Sequence, residues 1–235
     1  MSQISLLTSQ ISKYAIVVAG GSGSRMGSAI PKQFLQLNGL PVLMHTLLAF
    51  YNSHSKPNLI LVLPAAYHKY WAELCATHNF TIPHQLVSGG ETRFHSVKNG
   101  LDLITDNNAV IAVQDAVRPL TSREIVDNAY QQAATIGNAV VAVKSRDSIR
   151  QLKGDISTAL TRDEIYLVQT PQTFQAAQLK QAYQQSFDPK FTDDASVVEE
   201  TGIKINLIDG SYQNIKITFP EDIAIAELLL KSLTH

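Results

Sequence analysis

Tyr14-Ala15-Ile16-Val17-Val18 runs directly into Ala19-Gly20-Gly21-Ser22-Gly23-Ser24-Arg25-Met26-Gly27, and Pro31-Lys32-Gln33-Phe34 follows closely. A short apolar, partly β-branched run meeting a glycine loop reads as a strand buried on both faces that ends at a turn. The same kind of run recurs at Asn58–Leu63, Thr81–Val87, Ala109–Val113 and Asn138–Val143. Amphipathic stretches near Pro41–Ser53, Tyr67–Thr77, Glu91–Leu103 and Thr121–Ile136 separate them. Fully apolar strands alternating with helices predict an α/β fold, a mostly parallel sheet with helices on both faces. In such sheets ligands sit beyond the carboxyl ends of the strands, which points to the loops after Val18, Val87, Val113 and Val143.

Local signals refine this outline. Thr121 with Glu124 has the spacing of a capping box at a helix start, and Pro220-Glu221-Asp222 opens a last helix. Trp71, Leu74 and Cys75 share helical spacing and are expected in the core, whereas His45, His54, His68, His78, His84 and His235 are expected at surfaces or interfaces, and His95 lies inside the third-strand motif, within reach of a nucleotide. One segment, 144–162, departs from the pattern. Ser148–Leu152 and Ile156–Leu160 alternate around Lys153-Gly154-Asp155 and predict a protruding β-hairpin arm. A lone hairpin is marginal in water, so the arm is expected to pack on something, such as a second copy of the chain. No internal repeat or linker divides the rest. The expected organisation is an extension over 1–12 and one domain over 13–235 that carries the arm.

Composition narrows the function. The 235 residues hold 19 Lys plus Arg against 20 Asp plus Glu, a formal charge of -1, with 45% apolar and 17% charged residues. Such a chain buries a full core and lacks the basic field of a dedicated nucleic-acid binder. A single cysteine, Cys75, excludes an intrachain disulfide and a cysteine-based zinc site. No apolar run approaches the ~18 residues of a membrane span, and Met1–Ser12 lacks a basic n-region. The expectation is a soluble cytoplasmic protein.

The first loop carries the chemistry. Glycines let backbone amides close around phosphate oxygens. No Gly-Lys pair is present for a Walker A loop, and Gly21, Gly23 and Gly27 have the wrong spacing for a dinucleotide fingerprint. What remains is a phosphate cradle with its own Arg25 and, soon after, Lys32. Two fixed cations there suit phosphoryl or nucleotidyl transfer, in which charge builds on non-bridging oxygens and the leaving group. Gly89-Gly90-Glu91-Thr92-Arg93, with Ser96, starts a helix after the third strand, so its amides and hydroxyl can face a base or phosphate. Asp115-Ala116-Val117-Arg118-Pro119 follows the fourth strand. Asp115 can meet a ribose hydroxyl or a metal, and Arg118 can fork onto a phosphate. Those two residues also suit a plain ion pair.

Together with Arg162, Gln169-Thr170-Pro171-Gln172, Thr192-Asp193-Asp194-Ala195 and Asn214-Ile215-Lys216, these motifs fall in the order of one family. From about Tyr14 to the last helix the chain resembles the 2-C-methyl-D-erythritol 4-phosphate cytidylyltransferases of the non-mevalonate isoprenoid pathway. The resemblance implies a Rossmann-like nucleotidyltransferase fold and transfer of CMP from CTP, with release of pyrophosphate. It implies that Arg25 and Lys32 stabilise the transition state, and that Arg162 and Lys216 position the attacking phosphate. Ala19, Gly20, Gly21, Ser22 and Gly23, with Gly90, Glu91 and Ser96, match the loops around the triphosphate and cytosine. Asp115 and Ala116 match the segment beside the ribose, and Arg118, Ser148 and Thr192 match the acceptor pocket. Mg²⁺ is implied mainly through the triphosphate, with Asp115 the side chain in reach, and the arm is implied to cross to the partner of a homodimer.

Three positions depart from the family pattern. Gly20 stands where many relatives have Ala, Ser24 where others have Arg, and Ser148 where Thr is more usual. Ala19-Gly20-Gly21 and Gln169-Thr170-Pro171-Gln172 also resemble the sister family acting on ribitol 5-phosphate. The rival readings are therefore the same transfer to ribitol 5-phosphate or another polyol phosphate, and a non-catalytic nucleotide-binding module.

Overall fold

A computed structural model describes residues 11–20 and 30–233. Its strands are β1 (Lys13–Val18), β2 (Gln36–Leu37), β3 (Leu40–Pro41), β4 (Asn58–Leu63), β5 (Gln85–Ser88), β6 (Val110–Asp115), β7 (Asn138–Lys144), β8 (Arg150–Lys153), β9 (Ile156–Ala159), β10 (Tyr166–Gln175) and β11 (Leu207–Asp209). Its helices are α1 (Val42–Tyr51), α2 (His68–Thr77), α3 (Arg93–Leu101), α4 (Arg123–Ile136), α5 (Ala176–Ala182), α6 (Asp194–Glu199) and α7 (Glu221–Leu233). Seven strands form one sheet in the order β11-β7-β10-β6-β1-β4-β5. β1 pairs in parallel with both β4 and β6, and β10 runs antiparallel to β6 and β7.

Strand pleating explains the two layers of helices. Successive side chains of β1 point to opposite faces, so Ile16 and Val18 pack in one core with Phe94 and Val97 of α3 and Leu179 of α5. Ala15 and Val17 pack in the other with Leu43, Leu47 and Phe50 of α1, Trp71 of α2 and Tyr130 of α4. Both faces are dry, which is why these strands read as unbroken apolar runs.

Several details differ from the sequence reading. β5 begins at Gln85 rather than Thr81, because Pro83 has no amide to give to the ladder. The cap of α4 is Ser122, whose side chain accepts from the Ile125 amide at 3.3 Å. Thr121 is buried instead, donating to Asn214 Oδ1 at 2.9 Å and accepting from Gln114 Nε2 at 3.0 Å. His84 is drawn inward, where its Nε2 accepts from the Trp71 indole at 2.9 Å. Strand β10 has no counterpart in the apolar pattern. Its central residues are Gln169, Thr170, Pro171, Gln172 and Thr173, all buried. Gln172 is satisfied by Asp193 Oδ2 and by the Ala195 amide, at 2.9 and 2.8 Å. Pro171, which follows a cis peptide bond, sits where the register shifts between Val168 and Gln172, so the ladder does not need its missing N–H.

The arm forms as expected. β8 and β9 pair antiparallel, with Lys153 opposite Ile156 and Gly154 at the turn with φ +57. Every residue of both strands is exposed, Leu152 at 69% and Ile156 at 72%. Ser122→Ala should lower stability by about 1 kcal/mol through loss of the α4 cap, and urea unfolding at neutral pH measures it.

Candidate active site

Three chain segments end at one place. β1 ends at Val18, the amide of Ala19 just beyond it donates to the Val62 carbonyl at 2.9 Å, and Gly20 follows. The turn Lys32–Phe34 is tied back to this end by Gln33 Nε2, which donates to the Ala19 carbonyl at 3.1 Å. Phe34 anchors the same turn between the rings of Tyr67 and Tyr70, at 5.6 and 5.1 Å. Lys32 is thereby placed on a cavity of about 230 Å³ shared with Ala19, Gly20, Arg93, Asp115 and Lys216. A second cavity of about 240 Å³ adjoins it and holds Arg118, Gln172, Thr192 and Asp193. Arg93, Asp115 and Lys216 border both.

Asp115, the last residue of β6, is the centre of charge. Its Oδ2 lies 2.9 Å from Lys216 Nζ and 3.6 Å from Arg118 Nε, and its Oδ1 lies 3.8 Å from Arg93 Nε. Burial alone would raise this carboxyl, but Arg93, Lys216 and Arg118 together more than reverse that and hold it at about 2. Arg118 is lowered by its own burial, partly offset by Asp115. Its Nη1 donates to the Asn214 carbonyl at 2.7 Å. Asn214, fully buried, also donates from Nδ2 to Gln169 Oε1 and the Thr170 carbonyl, at 3.1 and 3.0 Å. Thr170 Oγ1 in turn accepts from the Asp115 amide at 3.1 Å. Asn214 therefore ties the approach to Lys216 to both Arg118 and the Asp115 loop.

The third-strand loop lies just beneath. Ser96 Oγ accepts from the Gly90 amide at 3.0 Å and donates to the Thr92 carbonyl at 2.9 Å. A Cβ on Gly20 or on Gly89 would lie 3.3 Å from that same oxygen, so Ser96 brings the two glycine loops together. A Cβ on Gly90 would come within 2.9 Å of the His95 carbonyl carbon, which requires glycine there.

Of the residues singled out in the sequence, Ala19, Gly20, Lys32, Asp115 and Lys216 share one cavity, with Arg118 and Thr192 in its neighbour. Ala116 lies behind them: its methyl is in the core, its amide donates to the Val18 carbonyl, and its carbonyl accepts from Thr46 Oγ1. Glu91 is exposed beside the site and borders neither cavity. Arg162 and Ser148 are exposed at the root of the arm and border neither cavity. Gly21, Ser22, Gly23 and Arg25 lie outside the described residues. Asp115 and Arg118 do form an ion pair, and both border the second cavity as well.

The model of 2-C-methyl-D-erythritol 4-phosphate cytidylyltransferase, IspD, matches residues 13–232. This chain belongs to that family. The cytidylyltransferase of Phocaeicola vulgatus is 46% identical over 94% of this chain and 100% of its own length. That of Bacteroides fragilis is 47% identical over 92% of this chain and 98% of its own. Among solved structures, the 4-diphosphocytidyl-2C-methyl-D-erythritol synthase of Anaerococcus prevotii superposes with a TM-score of 0.80 at 27% identity. It covers 94% of this chain and 96% of that one. The Francisella tularensis enzyme gives 0.76 at 30%, over 93% and 99%.

Gln33, Asn214, Asp194 and Arg93 all stand inside the sequence motifs, but their spacing assigns them no role; only the fold turns Arg93 toward Asp115. Because the Asp115 carboxyl lies below its ordinary 3.8, its ionised form stabilises the fold above about pH 4, and that contribution is lost as pH falls toward 2. Asp115→Asn should therefore be less stable than the parent at pH 7, with the difference shrinking between pH 4 and 2. Urea unfolding across that range reads it directly.

Proposed function

We propose that this chain transfers CMP from CTP to 2-C-methyl-D-erythritol 4-phosphate and releases pyrophosphate. The observation that carries this reading is the pair of adjoining cavities at the strand ends, bordered by Lys32, Arg93, Arg118 and Lys216 from four distant segments. Two carboxylates, Asp115 and Asp193, border the cavities against these four cations, and Asp193 is engaged by Gln172 and the Ser196 amide. The surplus is positive, which suits two anionic substrates.

The reaction joins a phosphomonoester to a nucleoside triphosphate. Two unit charges ~4 Å apart repel by about 4 kcal/mol at an effective dielectric of ~20, so fixed cations are the first requirement. The acceptor oxygen is already ionised near neutral pH, and no general base is needed. That oxygen bonds to the α-phosphorus of CTP while the bond from this phosphorus to the bridging oxygen of pyrophosphate breaks, the electron pair leaving with pyrophosphate. Lys32, with Arg25, takes the charge that grows on the α-phosphate oxygens. Ala19, Gly20, Gly21, Ser22 and Gly23 hold the triphosphate, with the loop of Gly90, Glu91 and Ser96 alongside. Asp115 and Ala116 line the ribose side. Lys216, Arg118 and Thr192 take the acceptor, and an attack in line with the leaving group fits cavities that meet at Arg93, Asp115 and Lys216.

The family implies Mg²⁺. The described residues do not fit a metal held by the protein: they contain no group of three His, Cys, Asp or Glu side chains able to bind one. Asp115 itself is crowded by three cations, so its expected reach to a metal is disfavoured. We assign Mg²⁺ to the triphosphate oxygens, as its preference for phosphate and water ligands allows.

Arg162 and Ser148 belong, on this reading, to the site of a second copy. Their arm protrudes with Leu152 and Ile156 exposed, and Leu167 and Val168 at its base are exposed as well. A symmetric homodimer that buries these side chains would bring each Arg162 to the partner's acceptor cavity. The remaining organisation is one domain over 13–235. No helix among the described residues is long and apolar enough to cross a membrane, and a cytoplasmic setting supplies both CTP and Mg²⁺.

Purified protein with CTP and Mg²⁺ should release pyrophosphate with 2-C-methyl-D-erythritol 4-phosphate and much less with ribitol 5-phosphate. A ribitol preference would overturn the acceptor, and no release with any polyol phosphate would overturn the enzyme. Arg162→Ala and Lys216→Ala should each be nearly inactive, and an equal mixture after subunit exchange should regain about a quarter of parental activity. No recovery from a mixture shown to contain mixed dimers would sink the shared site.

A further inference from the structure

Arg93 stands between the two cavities, and its guanidinium is not free to choose a partner. Its Nη1 and Nη2 donate to Asp194 Oδ1 and Oδ2 at 3.0 and 2.6 Å. Asp194 is fully buried, and its Oδ1 also accepts from the Tyr183 hydroxyl at 2.7 Å. Tyr183 is itself fixed by stacking on Phe94, with ring centroids 4.6 Å apart. Held this way, Arg93 presents Nε to Asp115 Oδ1 at 3.8 Å, too far for a hydrogen bond. Arg118 Nε faces Oδ2 at 3.6 Å, with no hydrogen-bond partner among the described residues. Among those residues only Lys216 grips Asp115, and its side chain is 46% exposed.

We propose that Arg93, locked by Asp194, is a positioning residue that serves as the standing counter-ion of Asp115, so that Lys216 can leave Asp115 for the acceptor phosphate. A buried carboxylate stripped of its one close partner would hold that partner back. Two guanidinium edges already facing Asp115 make the exchange feasible, since Asp115 stays compensated when the ammonium moves to the incoming dianion. The bidentate lock matters as much as the charge. An unlocked Arg93 would close on Asp115 with its own fork and crowd the junction where the substrates meet.

This inference rests on the reading of Lys216 as an acceptor-positioning residue. The test is steady-state kinetics on two folded variants with both substrates varied. Arg93→Gln combined with Asp194→Asn removes the pair without leaving one charge buried alone. The Michaelis constant for methylerythritol phosphate should rise about tenfold or more, while that for CTP should stay within about threefold. Arg93→Lys keeps the charge balance, and so the fold, but its ammonium is drawn onto Asp194 and has no second edge for Asp115. The acceptor constant should therefore rise here too, by less. If the double variant does not fold, Arg93→Lys decides alone. Parental acceptor constants in an active variant, or equal rises for both substrates, would overturn the role of Arg93. Failure of the underlying reading shows separately, as a parent enzyme that releases no pyrophosphate or a Lys216→Ala variant with a parental acceptor constant, and either would take the inference with it.

Discussion

A single buried carboxylate holds the site together. Asp115 sits at the end of a central strand, and three cations reach it: Arg93 from the start of α3, Arg118 from its own loop and Lys216 from the segment before α7. Arg93 is held by Asp194, and the Asp115 carboxylate offsets the mutual repulsion of the three positive groups that face it. On the proposed reading, the same charge competes with the substrates for these cations, and its place at the carboxyl end of β6, between two cavities, makes it a temporary partner for groups that bind phosphate.

The surrounding polar framework serves that arrangement. Asn214 satisfies all of its side-chain groups inside the protein and lends its carbonyl to Arg118. Thr170, on a strand of unusual polarity, holds the amide of Asp115. Gln172 joins that strand to the α6 cap that precedes Asp194. Buried polar groups of this kind are tolerable only when their partners are in place. On the proposed reading, the antiparallel β10 is therefore the scaffold of the acceptor side.

Much of this was legible in the chain. Asn58–Leu63 reads as a strand because it is apolar on both faces, and its ends are those observed. The arm was legible from alternation around Gly154, and the Gly89-Gly90 loop from its place between a strand and a helix. β10 was not, since burial there is satisfied by hydrogen bonds rather than by apolar side chains, and periodicity is blind to that. Thr121 was misread as a cap because the two-residue pattern cannot show that Asn214 competes for its hydroxyl.

Local sequence determined the alternation of strand and helix, the glycine loops, the hairpin and the family, because each depends on side chains adjacent along the chain. Tertiary structure decided which charges meet. Arg93 and Asp194 are 101 positions apart, as are Lys216 and Asp115, and no spacing rule connects them. Coulombic partnership depends on distance in space and on burial, and both exist only once the sheet has brought its strand ends together.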